Sequence, residues 1–212
     1  MRILIVTLLA LLLFLTPAPT ASAYNWTSVV KILRASTVPI ECSGHQMPVC
    51  TAFSINEEQG IFLTAAHCTE PYIDDRGDPT EVAMLDGKPL TILYIDKIMD
   101  IAVIKAQLRK PALHPRTKLI EVGMEIGTFG YGYGFTDAPI FRSAILSAVM
   151  RDTETKFIFH MLDNSLVKGQ SGGPAVDTEG RLVGVNLATD YFSGRVLSIS
   201  SITKATSFWE FD

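Results

Sequence analysis

A chain of 212 residues can hold one domain or two tightly joined halves. Its 18 Lys+Arg against 22 Asp+Glu give a net charge of −4, which argues against nucleic acid as a partner, since phosphate contacts need a basic surface. With 48% hydrophobic and only 19% charged residues, the composition also argues against disorder.

The first 23 residues read as a secretory signal. Arg2 is the basic start, Ile3–Leu15 is apolar, Pro17 and Pro19 break the helix, and Ala21-Ser22-Ala23 offers the small-residue cleavage pattern. The apolar run is shorter than the ~20 residues a spanning helix needs, so no stable membrane insertion is expected after cleavage. The mature chain is then 24–212, the size of a single domain, and losing Arg2 takes its net charge to −5. Localisation is expected to be secreted, periplasmic or extracellular.

Helical periodicity is credible near Asn25–Leu33. Export makes disulfides possible for the three cysteines, with one left over. Cys50–Ile55 alternates like a strand, Asn56–Gly60 is a polar turn, and Ile61–Thr64 is a second strand. This hairpin makes a Cys50–Cys68 bridge geometrically reasonable and leaves Cys42 as the odd thiol. Cys42, His45 and Cys50 raise a zinc reading, but their spacing supplies no fourth ligand, and no metal is expected.

Further on, short runs rich in Val, Ile, Leu and Phe alternate with turn signals. Strands are predicted at 82–84, 89–95, 101–106, 127–130, 141–149, 156–161, 174–177, 181–187 and 195–200, with a second helical stretch in the last dozen residues. Evenly spaced short strands point to an all-β sandwich or a pair of barrels. Lys110–Arg116, with its two prolines, is the candidate connection between halves.

Three segments carry chemistry. Leu63-Thr64-Ala65-Ala66-His67-Cys68 is an apolar strand running into a histidine. Asp100-Ile101-Ala102-Val103-Ile104-Lys105 opens a strand with a carboxylate. Gly169-Gln170-Ser171-Gly172-Gly173-Pro174 sets a serine among glycines, whose freedom lets two N–H groups point at one spot. Singly, each has a plain reading: a structural histidine, a turn aspartate, a Gly-Pro turn. Jointly, and in the order His, Asp, Ser, they supply a nucleophile, a base for its proton, and a carboxylate to orient the base.

On these motifs the chain resembles the chymotrypsin-fold (trypsin-like) serine proteases. The likeness extends to Gly130-Tyr131-Gly132-Tyr133-Gly134 and Arg181–Asn186, and covers about Val49 to Ile202. Asp100–Lys105 and Gly184-Val185-Asn186 are similar to the HtrA-like branch, whereas Ala65-Ala66-His67-Cys68 is closer to the trypsin branch. The resemblance implies two antiparallel six-stranded β-barrels, at about 45–110 and 117–202, with the site in the cleft between them. It implies a serine endopeptidase acting on protein or peptide substrates through an acyl-enzyme, with His67, Asp100 and Ser171 catalytic and the N–H groups of Gly169 and Ser171 holding the oxyanion. No cofactor is required, and oligomeric state is left open.

The family's pocket base maps to Ser165, with walls at about Leu187 to Thr189. An uncharged residue is therefore expected before the scissile bond, with Asp163 and Asp190 the groups able to upset this. The neutral Gln170 cannot make the ion pair that activates the trypsin branch after a propeptide cut, so no cut is expected. Two rivals were weighed. The Gly-x-Ser-x-Gly elbow of α/β-hydrolases needs a histidine after the serine, but all four histidines precede Ser171. A protease-fold binding module would typically lack a triad member.

Overall fold

The computed structural model describes residues 24–42, 45–70, 72–73, 79–81, 83–85, 87–135, 137–189 and 194–205. The segment 1–23, expected to be a signal, Asp190 and residues 206–212 lie outside the described residues.

Helix α1 (Thr27–Ser36) opens the described chain. It begins where the Asn25 side chain accepts the Thr27 N–H, and ends where the Thr37 hydroxyl donates to the Leu33 carbonyl, at 3.0 and 2.9 Å. Val29, Leu33 and Ser36, spaced for one helical face, are buried. Trp26 leads into the helix, stacks on Phe141 and donates to Glu125, so α1 is fixed against the second half of the molecule.

The first half is a sheet of β1 (Thr37–Cys42), β2 (His45–Asn56), β3 (Ile61–Thr64), β6 (Ala83–Leu85), β7 (Lys88–Pro89), β8 (Thr91–Asp96) and β9 (Ile101–Lys105). β4 (Tyr72–Ile73) and β5 (Pro79–Glu81) form a separate two-stranded excursion. The sheet order is β7-β6-β1-β2-β3-β9-β8, all neighbours antiparallel. Its two edge strands, β7 and β8, are separated by Leu90 alone. Residues 88–96 were expected to contain one strand from 89 to 95. They divide instead between two partners: the Leu90 N–H still donates to the Ala83 carbonyl of β6 at 3.2 Å, and from Thr91 the chain pairs with β9. The stretch pairs with β6 at one end and β9 at the other, so it carries the circuit round as the sixth strand.

The second half is a closed six-stranded barrel, ordered β10-β11-β12-β15-β14-β13. Its strands are β10 (Glu125–Gly130), β11 (Ile140–Arg151), β12 (Ile158–Leu162), β13 (Pro174–Val176), β14 (Leu182–Thr189) and β15 (Gly194–Ser198). The last predicted strand ends early, since the chain turns into helix α2 (Ile199–Ala205) at Ile199. The fold is therefore the expected all-β pair of antiparallel β-barrels.

One apolar core runs through both halves, joining Phe53, Phe62 and Ile101 to Phe129, Val185 and Leu197; a smaller cluster around Leu146 and Leu162 fills the far side of the second barrel. The connection between halves is extended and held to both. Leu113 N–H donates to the Ser54 carbonyl at 2.9 Å, and the Leu182 N–H donates to the His114 carbonyl at 2.8 Å. Beside it, the buried Asp177 carboxylate faces the guanidinium groups of Arg116 and Arg181. Burial works against its ionisation, but these partners and the N–H groups of Arg181 and Glu179 outweigh that and hold the carboxyl below its ordinary range.

Candidate active site

His67 lies in a single 3₁₀ turn, Ala66–Thr69, that follows β3 without a break in the buried chain. The turn is pinned covalently: a disulfide joins Cys50 of β2 to Cys68, the pairing expected from the hairpin. Such a short loop contributes roughly 3 kcal/mol in the chain-entropy account. The described side chains do not include those of Cys42 and His45. Donor atoms of Cys50, His67 and Cys68 lie within 4.8 Å of one another, but both sulfurs are bonded to each other, so this set offers no thiolate to a metal.

Asp100 closes the turn between β8 and β9 with φ 57°, a left-handed conformation uncommon outside glycine. The turn is shaped by Asp96, whose carboxylate accepts the Ile98 and Met99 N–H groups, each at 2.9 Å. The unusual backbone is held from outside as well. The Asp100 carbonyl accepts the Ala66 N–H at 3.0 Å, and Asp100 Oδ1 accepts the His67 N–H at 2.9 Å. Asp100 Oδ2 lies 2.8 Å from His67 Nδ1. This fixes the ring tautomer, with hydrogen on Nδ1 and a lone pair on Nε2 in the neutral form. The Asp100 hydrogen bond raises the His67 pKa above the ordinary 6.5; burial pulls it down, and the charges of Asp100 and Glu70 push it up again. The side chains remain 44% and 32% exposed, so the pair is open to solvent.

Ser171 sits in the tight loop between β12 and β13. Its hydroxyl donates to the Leu187 carbonyl of β14 at 3.1 Å, and it makes no hydrogen bond to His67 among the described residues. Cys68 Sγ, next to His67 in the chain, is 3.7 Å from the Ser171 carbonyl oxygen, which brings the two segments together. The loop depends on its glycines. Gly169 has φ 98°, and a Cβ there would lie 2.2 Å from the Tyr131 carbonyl; one on Gly172 would meet Thr64 Oγ1 at 2.2 Å.

Each peptide unit in the loop has a fixed orientation. The Lys168 carbonyl accepts the Tyr133 N–H at 2.9 Å, which turns the Gly169 N–H the opposite way. The Gln170 carbonyl accepts the Gly173 N–H at 3.0 Å, which does the same for the Ser171 N–H. Neither the Gly169 nor the Ser171 N–H has an acceptor among the described residues. Gln170 itself is wholly buried, with Oε1 accepting the Val167 N–H at 2.9 Å and Nε2 donating to the Ile140 carbonyl at 3.1 Å.

The three pocket segments also converge. Thr189 pairs with Gly194, and Gly194 lies against the Asn164 carbonyl and Leu166, on either side of Ser165. Leu187 is buried, and its carbonyl accepts the Ser171 hydroxyl. The Asp163 carboxylate is turned to β11, accepting the Ile145 N–H at 2.7 Å. Sequence reasoning missed two contributors. Asp96 carried a signal, an Asp two residues before an apolar pair in a turn; the Leu187 carbonyl carried none, since a main-chain acceptor has no residue code.

A family model described as "Trypsin-like peptidase domain" matches residues 50–185. Among curated relatives, a "Probable periplasmic serine endoprotease DegP-like" of Brucella suis is 30% identical over 171 residues, covering 74% of this chain and 31% of the relative. "Serine protease HTRA2, mitochondrial" of Bos taurus is 25% identical over 185 residues, covering 80% and 40%. The chain thus spans about a third of the length of these relatives. Among solved structures, the active form of the Rv3671c protease of M. tuberculosis superposes with TM-score 0.69 at 22% identity, covering 89% of this chain and 86% of that one. An HtrA-type protease AlgW with a decapeptide gives TM-score 0.69 at 18% identity, covering 85% and 66%.

Proposed function

The chain belongs to the trypsin-like peptidase family, and from that premise we propose that it is an exported serine endopeptidase cleaving peptide bonds through an acyl-enzyme. The observation that carries this is the pairing of a carboxylate-bound His67 with a Ser171 loop that offers two unused N–H groups. Ser171 Oγ attacks the scissile carbonyl as His67 Nε2 takes its proton, and Asp100 stabilises the imidazolium. The Gly169 and Ser171 N–H groups receive the negative charge that forms on the carbonyl oxygen. His67 then returns the proton to the leaving amine, and water repeats the cycle on the ester. The resting hydroxyl points at the Leu187 carbonyl, so it must rotate toward His67; a substrate strand laid along β14 would compete for that carbonyl and release it. The periplasmic relatives and the leader-like 1–23 segment favour export, with cleavage after Ala23.

The test is a pH–rate profile on a fluorogenic peptide. Only neutral His67 accepts the proton, and Asp100 raises its pKa, so kcat/KM falls on the acid side with a midpoint above 6.5. A profile flat from pH 4 to 8 defeats the mechanism. Protein beginning at Tyr24 should be active as purified, because the hydrogen bonds of Gln170 take the place of an activating ion pair.

A protease-fold binding module is the second reading, and the exposure of the His67–Asp100 pair is what favours it. Substrate preference follows from the pocket. Ser165 carries no charge, Leu187 is apolar and Asp163 is engaged elsewhere, so cleavage after Leu, Phe or Ala should outpace cleavage after Arg or Lys. A peptide-library profile with the reverse order overturns this.

A further inference from the structure

The Ser171 loop belongs to the second barrel, yet its conformation is tied to one residue of the first. Thr51, in β2 and wholly buried, uses all four of its polar functions on or beside that loop. Its N–H donates to the Ser171 carbonyl at 2.8 Å. Its hydroxyl donates to the Gly169 carbonyl at 2.8 Å and accepts the Tyr131 N–H at 2.9 Å. Its own carbonyl accepts the Thr64 hydroxyl at 2.8 Å, at the end of the strand that leads to His67.

The chemistry of the hydroxyl is specific. Tyr131 N–H must donate, so the hydroxyl accepts there and has its one proton left for the Gly169 carbonyl. That proton fixes the Gly169–Gln170 peptide unit, while the Tyr133 N–H fixes the preceding one through the Lys168 carbonyl. With both units held, Gly169 keeps its φ of 98° and its N–H keeps one orientation.

We infer that Thr51 is a positioning residue for catalysis: its hydroxyl bolts the oxyanion loop to the first barrel and keeps the Gly169 N–H turned toward the substrate. This rests on the endopeptidase reading and adds to it the residue that keeps the site formed without an ammonium ion pair. Thr51 touches no substrate; it acts through Gly169. Isosteric replacement by valine leaves the Gly169 carbonyl and the Tyr131 N–H facing methyl groups in a buried place. Both groups then escape by turning the loop, and the oxyanion loses a donor.

The experiment compares full-length wild type, Thr51→Val and Thr51→Ser with a fluorogenic peptide carrying leucine before the scissile bond. A peptide aldehyde, which binds as an oxyanion-bearing hemiacetal, is the second probe. Thr51→Val should lower kcat by on the order of 10²-fold and change KM by less than about threefold, and aldehyde affinity should fall with kcat/KM. Thr51→Ser, which keeps the hydroxyl, should stay within about threefold of wild type. A loss confined to KM, an equal loss in both variants, or wild-type kcat in Thr51→Val overturns the inference. Amide hydrogen exchange over 167–172 provides a readout independent of turnover: Thr51→Val should speed exchange there, and unchanged exchange also overturns it. If valine prevents folding, Thr51→Ala carries the same comparison. A wild type that neither cleaves peptide nor binds aldehyde counts against the endopeptidase reading, while exchange still decides the role of Thr51.

Discussion

Ser171→Ala is expected to abolish turnover, with kcat falling by on the order of 10⁴–10⁶. The residual rate reflects the two N–H groups and substrate positioning, which the substitution leaves in place. The fold should survive, because among the described residues the side-chain bond lost is the one to the Leu187 carbonyl, and such a bond contributes about 1 kcal/mol. A fluorophosphonate should label wild type at Ser171, fail on Ser171→Ala, and fail on His67→Ala because the hydroxyl then has no base. Intact-protein mass spectrometry reads the label, and circular dichroism checks that the variants are folded. Full peptidase activity in Ser171→Ala would rule out the mechanism.

The second large effect is on stability and involves a histidine that takes no part in this chemistry. His160 lies in the middle of β12, is 3% exposed, and has Nδ1 buried without a partner. Burial pushes its pKa from 6.5 down to about 4. The folded ring is therefore neutral where the unfolded ring already binds a proton. Stability is complete above pH 6.5 and declines as pH falls through 6.5 toward 4, by about 3 kcal/mol in total. Asp177, whose carboxyl is held below its ordinary 3.8, loses its contribution only at still lower pH, so the windows separate. The raised pKa of His67 acts in the opposite sense, favouring the fold at low pH, but it is common to the proteins compared. Urea midpoints at pH 7.5 and 4.5 should differ markedly for wild type and much less for His160→Leu. Equal pH dependence in the two would refute the assignment.

What the sequence made legible was local. His67, Asp100 and the Gly169–Ser171 run are each encoded within a few residues, at strand ends and a glycine turn, and it was their order along the chain that gave them a joint reading. The Cys50–Cys68 bridge was readable for the same reason, as the closure of one hairpin. The change of partner at Leu90 was not readable, since 89–95 is one short, largely apolar run and only its two different partners reveal the corner. Thr51 was less visible still. In an alternating strand a threonine passes as pattern, and the carbonyl it serves at Gly169 is 118 positions away. The left-handed turn at Asp100 was equally hidden, because its support comes from Ala66 and His67 across the fold.

The continuous core beneath both barrels bears on how the cleft can move. Phe53 and Phe62 from one half pack in the same cluster as Phe129 and Leu197 from the other. Two bodies sharing a close-packed interior have no hinge between them, since any gaping would open a void among those rings. On the endopeptidase reading, a cleft between the halves would then keep its width, and accommodation would come from the chain that enters. A tightly folded surface cannot thread into a groove that does not widen. If substrate binds along β14 as proposed, only a segment already extended, or cheaply unravelled from its parent, would fit there, and the conformational freedom of the target would act as a filter ahead of any side-chain preference.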